Sequence, residues 1–496
     1  MPARVFTIPA SAPFLPTLIR ALADGRLIQD FPAAGDPLAL ARATLFLPTQ
    51  RAGQLARAAF LDVPGTKAAV LPRIVPLGEI DEDELIFAGA ATGEGALEVP
   101  DELGGLERRM VLTRLVQQWI ASPSLRTGTG KPLVANTPAS ALALADALAR
   151  LIDDMTTRQV PWDRLDTLVP PEFDEYWQKT LDFLRIARTA WPAILDERGR
   201  IEPAARRDLL IEAERLRLLG SDGPVIAAGS TGSMPATAKL LDTIAKLPHG
   251  VLVLPGLDTE LDAPTWDLIG GSDDDAAAHG HPQFAMHALL KRMGIGRDDV
   301  VRLGTGGARE RLLSEALRPA SATERWAAAR RNAARCDGVA MIEAANAEEE
   351  ALAVAVALRE AVENGKTTAL VTPDRALARR VGAALARWHI AADDSGGDAL
   401  PATEAGVFAR LAAQVVLDGL PPVTLLALVK HARFRLGAAA GTHARTIATL
   451  ERAVLRGPRP RPGTAGLAGA LARFREELAK FHRRERRDEI LRRDEI

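Results

Sequence analysis

A single cysteine, Cys336, in a chain of 496 residues has nothing to pair with inside the chain. An internal disulfide is excluded, and so is a four-cysteine zinc or iron–sulfur site. That scarcity suits a reducing cytoplasm. Aromatic residues are only 4% of the chain, so a core has to be filled by Ala, Leu and Val. Charge of one sign is missing as well: 62 Lys and Arg stand against 64 Asp and Glu, a formal net charge of −2. Bulk basicity of the kind that coats nucleic acid unaided is therefore excluded, and any DNA contact has to come from a local groove or a more basic partner. No apolar run nears the roughly 20 residues of a membrane span. The segment from Met1 to Leu27 is interrupted by Pro9, Pro13 and Pro16 before a run of signal-peptide length develops. The expectation is a cytoplasmic protein that does not enter a membrane.

What is present is an ordinary globular composition, 47% hydrophobic and 25% charged. At roughly 100–200 residues per domain, the length implies about three units. Short apolar, β-rich runs alternate with longer helical patterns, which predicts an α/β fold with a parallel sheet. The strand candidates are residues 5–8, 44–47, 225–228, 251–254, 339–342 and 369–372. Their nearly continuous apolar character predicts burial on both faces. Between them, residues 106–120, 138–157, 172–195 and 203–219 carry helical periodicity with no convincing strand, which reads as a helical insertion. The expected organisation is a first α/β part over 1–105, the helical insertion over 106–220, and a second α/β part over 221–325. A second α/β unit follows over 326–420, and an incomplete helical segment over 421–496.

The chemistry of a nucleotide-driven motor is absent. Such a motor needs a first strand leading into a glycine-rich loop whose amides cradle phosphate, then Lys and Ser or Thr. Here the first strand runs into Pro9-Ala10-Ser11-Ala12-Pro13-Phe14, with no glycine, no lysine and two prolines that have no N–H to give. Gly130-Lys131 and Gly365-Lys366-Thr367 lack the glycine framework around them and read as loop lysines. The strand at 225–228 ends in Gly229-Ser230-Thr231-Gly232 where magnesium carboxylates would stand. No ATPase, no cofactor and no metal are expected. His279, His281 and His287 near Asp273, Asp274 and Asp275 match no common ligand spacing and read as surface loop and helix cap. Asp153-Asp154 and Glu82-Asp83-Glu84 read as solvated faces, because neighbours in sequence diverge around a helix. The last residues repeat Arg-Arg-Asp-Glu-Ile at 486–490 and 492–496 and read as a solvated helix, with the chain stopping before a finished domain.

Several segments, taken in order, resemble one family. They are Val5-Phe6-Thr7-Ile8-Pro9, Leu45-Phe46-Leu47-Pro48-Thr49-Gln50-Arg51-Ala52, Leu71-Pro72-Arg73-Ile74 and Asp81-Glu82-Asp83-Glu84. Ala228-Gly229-Ser230-Thr231-Gly232-Ser233, Val253-Leu254-Pro255-Gly256-Leu257-Asp258, His281-Pro282-Gln283 and Glu343-Ala344-Ala345-Asn346 continue the series. Together they resemble the AddB family of the alphaproteobacterial type, the non-motor subunit of the AddAB helicase–nuclease. The likeness covers the N-terminal half of that family only. It implies a degenerate superfamily 1 helicase-like (RecA-like) parallel sheet with a helical insertion and the start of a second α/β unit. It also implies a role in double-strand break repair by homologous recombination. The implied partners are an AddA-like helicase–nuclease subunit in a heterodimer, duplex DNA ends and single-stranded DNA. Nothing in the chain resembles the family's C-terminal nuclease domain, and one cysteine could not supply its iron–sulfur staple.

By the same resemblance, three strand-to-helix turns fall where helicase-like folds touch a single strand: Thr49, Gln50 and Arg51; Ser230 and Thr231; Thr372 and Arg375. Helix N-terminal donors there suit phosphate oxygens, while Thr or Asp at each turn equally suits a helix cap. Two other readings stand beside the scaffold subunit: an active helicase or nuclease, and a truncated remnant without function.

Overall fold

The computed structural model describes residues 4–32, 36, 38–62, 70–77, 99–122, 135–168, 174–271, 277–326, 338–435, 437, 440–456, 458, 460–461 and 463–480. The chain divides into two compact units, Met1–Val339 and Ala340–Ile496.

The first unit is built on one all-parallel sheet. Its strands are β1 (Val5–Ile8), β2 (Thr44–Leu47), β3 (Arg73–Pro76), β4 (Val225–Ala228), β5 (Gly250–Pro255) and β6 (Val301–Arg302), in the order β3-β2-β4-β5-β1-β6. Alternation along each strand explains why the apolar runs are unbroken. Val5, Phe46, Val225, Ala227, Leu252 and Leu254 face one core, while Phe6, Ile8, Leu45, Leu47, Ile226, Val251 and Val253 face the other. Both faces are covered, so the central strands are apolar almost throughout, and the exception in β1, buried Thr7, has its hydroxyl bonded to the Leu254 carbonyl and the Leu257 amide. Helices α1 (Phe14–Ala23) and α2 (Gln50–Leu61) close one face through Leu18, Ile19, Leu22, Ala56 and Phe60.

Between β3 and β4 the chain leaves the sheet for a helical layer. Its elements are α3 (Gly105–Ile120), α4 (Pro138–Thr157), α5 (Asp174–Arg185), a π-helical turn at Ile186–Ala190, α6 (Trp191–Glu197) and α7 (Pro203–Leu219). Leu112, Val116, Ala141, Ala145, Leu148, Ile152 and Trp191 form its own core. Thr137 caps α4 by accepting from the Ser140 amide at 3.1 Å, and Pro138 follows at the first helical position, where its missing N–H costs nothing. Helix α7 returns to the sheet and packs Ile211 and Leu218 on the second core. That core is completed by α8 (Pro235–Lys246), α9 (Ala263–Ile269) and α10 (Phe284–Met293), and α11 (Ala308–Ala316) follows β6. An α/β chain with a parallel sheet and a helical insertion is thus the architecture, consistent with a RecA-like arrangement.

The second unit departs from expectation. Residues 339–342 and 369–372 do not join a sheet; they run without regular pairing, with Met341 90% and Val371 94% exposed. An apolar run reports what a strand needs, not whether a partner strand lies beside it. Helices α12 (Ala347–Glu363) and α13 (Arg375–Ala386) pack through Ala351, Ala355, Val381, Ala384 and Leu385. Helices α14 (Glu404–Leu417), α15 (Pro422–Val429), α16 (Ala440–Leu450) and α17 (Gly463–Lys480) follow. Two further corrections concern the sheet, whose strands β3 and β6 escaped the sequence reading. Asp153 keeps a side chain 42% exposed while accepting from Arg108 at 3.2 and 2.8 Å, and Asp154 beside it is exposed. Glu82-Asp83-Glu84, Cys336 and the Arg-Arg-Asp-Glu-Ile repeat lie outside the described residues. Among the described residues no helix is long and apolar enough to cross a membrane.

Candidate functional site

All strands of a parallel sheet end on the same side, so the turns after β1, β2, β4 and β5 gather along one edge. Two of the three candidate clusters meet there. Thr49 caps α2, its Oγ1 accepting from the Ala52 amide at 3.1 Å, and Gln50 and Arg51 follow on the exposed first turn. Strand β4 lies beside β2 and ends at Ala228, with Gly229 next. Gly229 holds φ +82°, a conformation that strains any other residue, and a Cβ there would sit tightly at 3.2 Å from Pro48 Cγ and 3.3 Å from Phe14. Ser230 Oγ then accepts from the Gly232 amide at 3.3 Å, with Thr231 half-buried beside it. The edge presents hydroxyls, amides and Arg51, a set suited to phosphate oxygens.

The third cluster belongs to the second unit and is committed internally. Thr372 Oγ1 accepts from the Asp374 amide at 3.0 Å, and Asp374 caps α13. Arg375 donates to both oxygens of Asp394 at 2.9 and 2.7 Å and to the Gly397 carbonyl at 2.8 Å. The Arg375 guanidinium, together with the Gly396 amide, holds the Asp394 carboxyl down at about 2. This turn is a clamped helix start.

Strands β1 and β5 are neighbours whose connections diverge: β1 leads through α1 to β2 on one side, and β5 leads through α9 and α10 to β6 on the far side of β1. Crevices at such a switch point are where open α/β sheets take ligands. A pocket of about 200 Å³ lies there, lined by Ala10, Gly256, Asp258, Gln283, Arg302 and Ser314 among others. Gln283 spans it, accepting from the Asp258 amide and donating to the Gly256 carbonyl, both at 3.0 Å. His281 Nδ1 accepts from the Gln283 amide at 3.1 Å, so its proton is on Nε2, which donates to the Leu317 carbonyl at 2.6 Å. His279 stacks edge-on against Phe284, and His287 lies against Trp266. The histidines thus serve separate contacts, and Asp273 to Asp275 lie outside the described residues. Among the described residues no group of His, Cys, Asp and Glu is arranged to hold a metal.

The turn after β1 carries no phosphate cradle. Pro13 caps α1 and Pro16 stands in its first turn, which removes two of the amides that a phosphate would need. Instead the turn is bound by a carboxylate. The Ser11 amide and hydroxyl donate to Glu310 Oε1 at 3.1 and 2.7 Å, and Arg302 donates to Glu310 Oε2 at 2.8 Å. No sequence signal links residues so far apart in the chain, so this set is not legible in the sequence. A scan of family models gives no match to the chain, and a search of curated proteins gives no match either.

Proposed function

We propose that the chain is a DNA-end-binding scaffold subunit for double-strand break repair, working in the cytoplasm beside an ATP-driven helicase partner, as its resemblance to the AddB family implies. The observation that carries this reading is a parallel α/β sheet whose first turn has prolines and an internal carboxylate where a motor holds phosphate. The opposite end of the same edge offers Thr49, Gln50, Arg51, Ser230 and Thr231 to a nucleic-acid backbone. Amides of the first α2 turn and the Arg51 guanidinium are positioning contacts, which carry affinity without reading sequence. No step of ATP hydrolysis is assigned to this chain. Unwinding belongs to the partner, and this subunit supplies a surface along which an opened strand lies.

The test is binding of the purified chain to a blunt duplex end, with and without the helicase partner, at two salt concentrations. The expected result is binding that appears or tightens with the partner and weakens as salt rises, since each phosphate contact releases counterions. Arg51→Ala is expected to weaken binding evenly across DNA sequences and to lower the salt slope by about 1. Absence of binding by the folded protein under every condition overturns the reading, and ATP hydrolysis by the chain alone would replace it with a motor.

A further inference from the structure

The turn after β1 already has its anion. We propose that it is a small-anion site filled by the chain's own Glu310, whose carboxylate acts as an internal ligand and closes the turn to free phosphate or carboxylate. Three donors converge on this one side chain. Ser11 gives both its amide, at 3.1 Å, and its hydroxyl, at 2.7 Å, to Oε1, and Arg302 gives Nη2 to Oε2 at 2.8 Å. The Ser11 hydroxyl is fixed in turn, because its oxygen accepts from the Gly307 amide at 2.8 Å. An amide, a hydroxyl and a guanidinium aimed at two oxygens are the donor set of an anion site, and charge-assisted bonds of this length are the strong kind.

Gly306 lies directly against the pair. A Cβ at that position would lie 1.6 Å from Arg302 Nη2 and 1.9 Å from Glu310 Oε2, so a side chain there would displace the ends of both partners from this arrangement. The Glu310 side chain is 15% exposed, deep enough for its charge to repel a second anion at the same donors. A nucleotide phosphate would meet a fixed negative charge as well as two prolines. The inference concerns the internal chemistry of this turn and does not depend on DNA-end binding.

Chemical rescue tests it. The full chain and its Glu310→Ala variant are melted in chloride, and again with acetate or inorganic phosphate added at equal ionic strength. Glu310→Ala is expected to melt lower by about 2–4 °C and to regain at least half of that loss with acetate or phosphate, in a concentration-dependent way. The unaltered chain is expected to show no such gain, and Ser11→Ala added to Glu310→Ala is expected to abolish the rescue. A Glu310→Ala protein that stays folded only in the presence of the anion is the same result in a stronger form. No anion-specific gain, an equal gain in the unaltered chain, or a variant that unfolds whatever the anion would each overturn the proposal.

Discussion

At the scale of single residues, several carboxylates gather more than one arginine or amide around them. Asp262 caps α9 by accepting from the Thr265 amide at 3.1 Å, and it also receives Arg318 at 2.6 Å and Arg325. Burial works against the charge on Asp262, yet the bonds from Arg318, Thr265 and Arg325 together hold its carboxyl well below the usual range. Because the folded carboxyl is more acidic than the unfolded one, its stabilisation is present above the unfolded value, near 3.9, and is lost as pH falls toward the folded value. Asp262→Ala is therefore expected to cost about 1–2 kcal/mol at neutral pH through the lost cap and ion pairs. In urea unfolding, that deficit should hold down to about pH 4 and narrow only below it. At this scale the sequence was legible where the signal is local. Thr49 at the start of α2 and Asp374 at the start of α13 are caps that follow from residue type and position. The Ser11–Glu310 contact was not legible, because it joins residues from different ends of the first unit.

Elements were readable to the extent that burial, not pairing, decides them. Residues 5–8, 44–47 and 225–228 were placed with the bounds they have, since a strand covered on both faces leaves an uninterrupted apolar run. Strand β6 has two residues and β3 opens on Arg73 and closes on Pro76, so neither leaves such a run. Helices of the insertion were clear from periodicity, but not the charges inside it. Arg108 pairs with Glu202 at 2.7 Å, their side chains 11% and 8% exposed, and Trp191 donates its indole N–H to the same carboxylate. Burial pushes the Glu202 carboxyl up, against the pull of Arg108 and Trp191. Arg108→Ala strands Glu202 among apolar neighbours and is expected to cost about 3–5 kcal/mol in denaturant unfolding. Replacing both, as Arg108→Met with Glu202→Leu, should recover most of that loss.

The whole molecule has unequal cores. Among the described residues the first unit holds three buried clusters around its sheet and insertion, whereas the second has a small one between α12 and α13 and another around Val454 and Phe474. Amide hydrogen exchange is expected to be slowest in β1, β4 and β5 and fast over residues 339–346 and 366–374, which have few buried contacts to keep them closed. Equal protection in these regions would show that the second unit is ordered by something other than its own core. The α/β class and the insertion followed from composition and period. The separate behaviour of 339–342 and 369–372 did not, since it depends on which strands lie alongside.

Those two segments carry an expectation for the protein in solution. Val339, Met341, Ile342 and Val371 are exposed apolar side chains on backbone outside any sheet, and backbone of this kind is expected to pair between molecules. Concentrated solutions should therefore turn cloudy sooner than the near-balanced surface charge alone would cause. A lysine at position 341 or 371 should delay that clouding while leaving the first unit's melting unchanged.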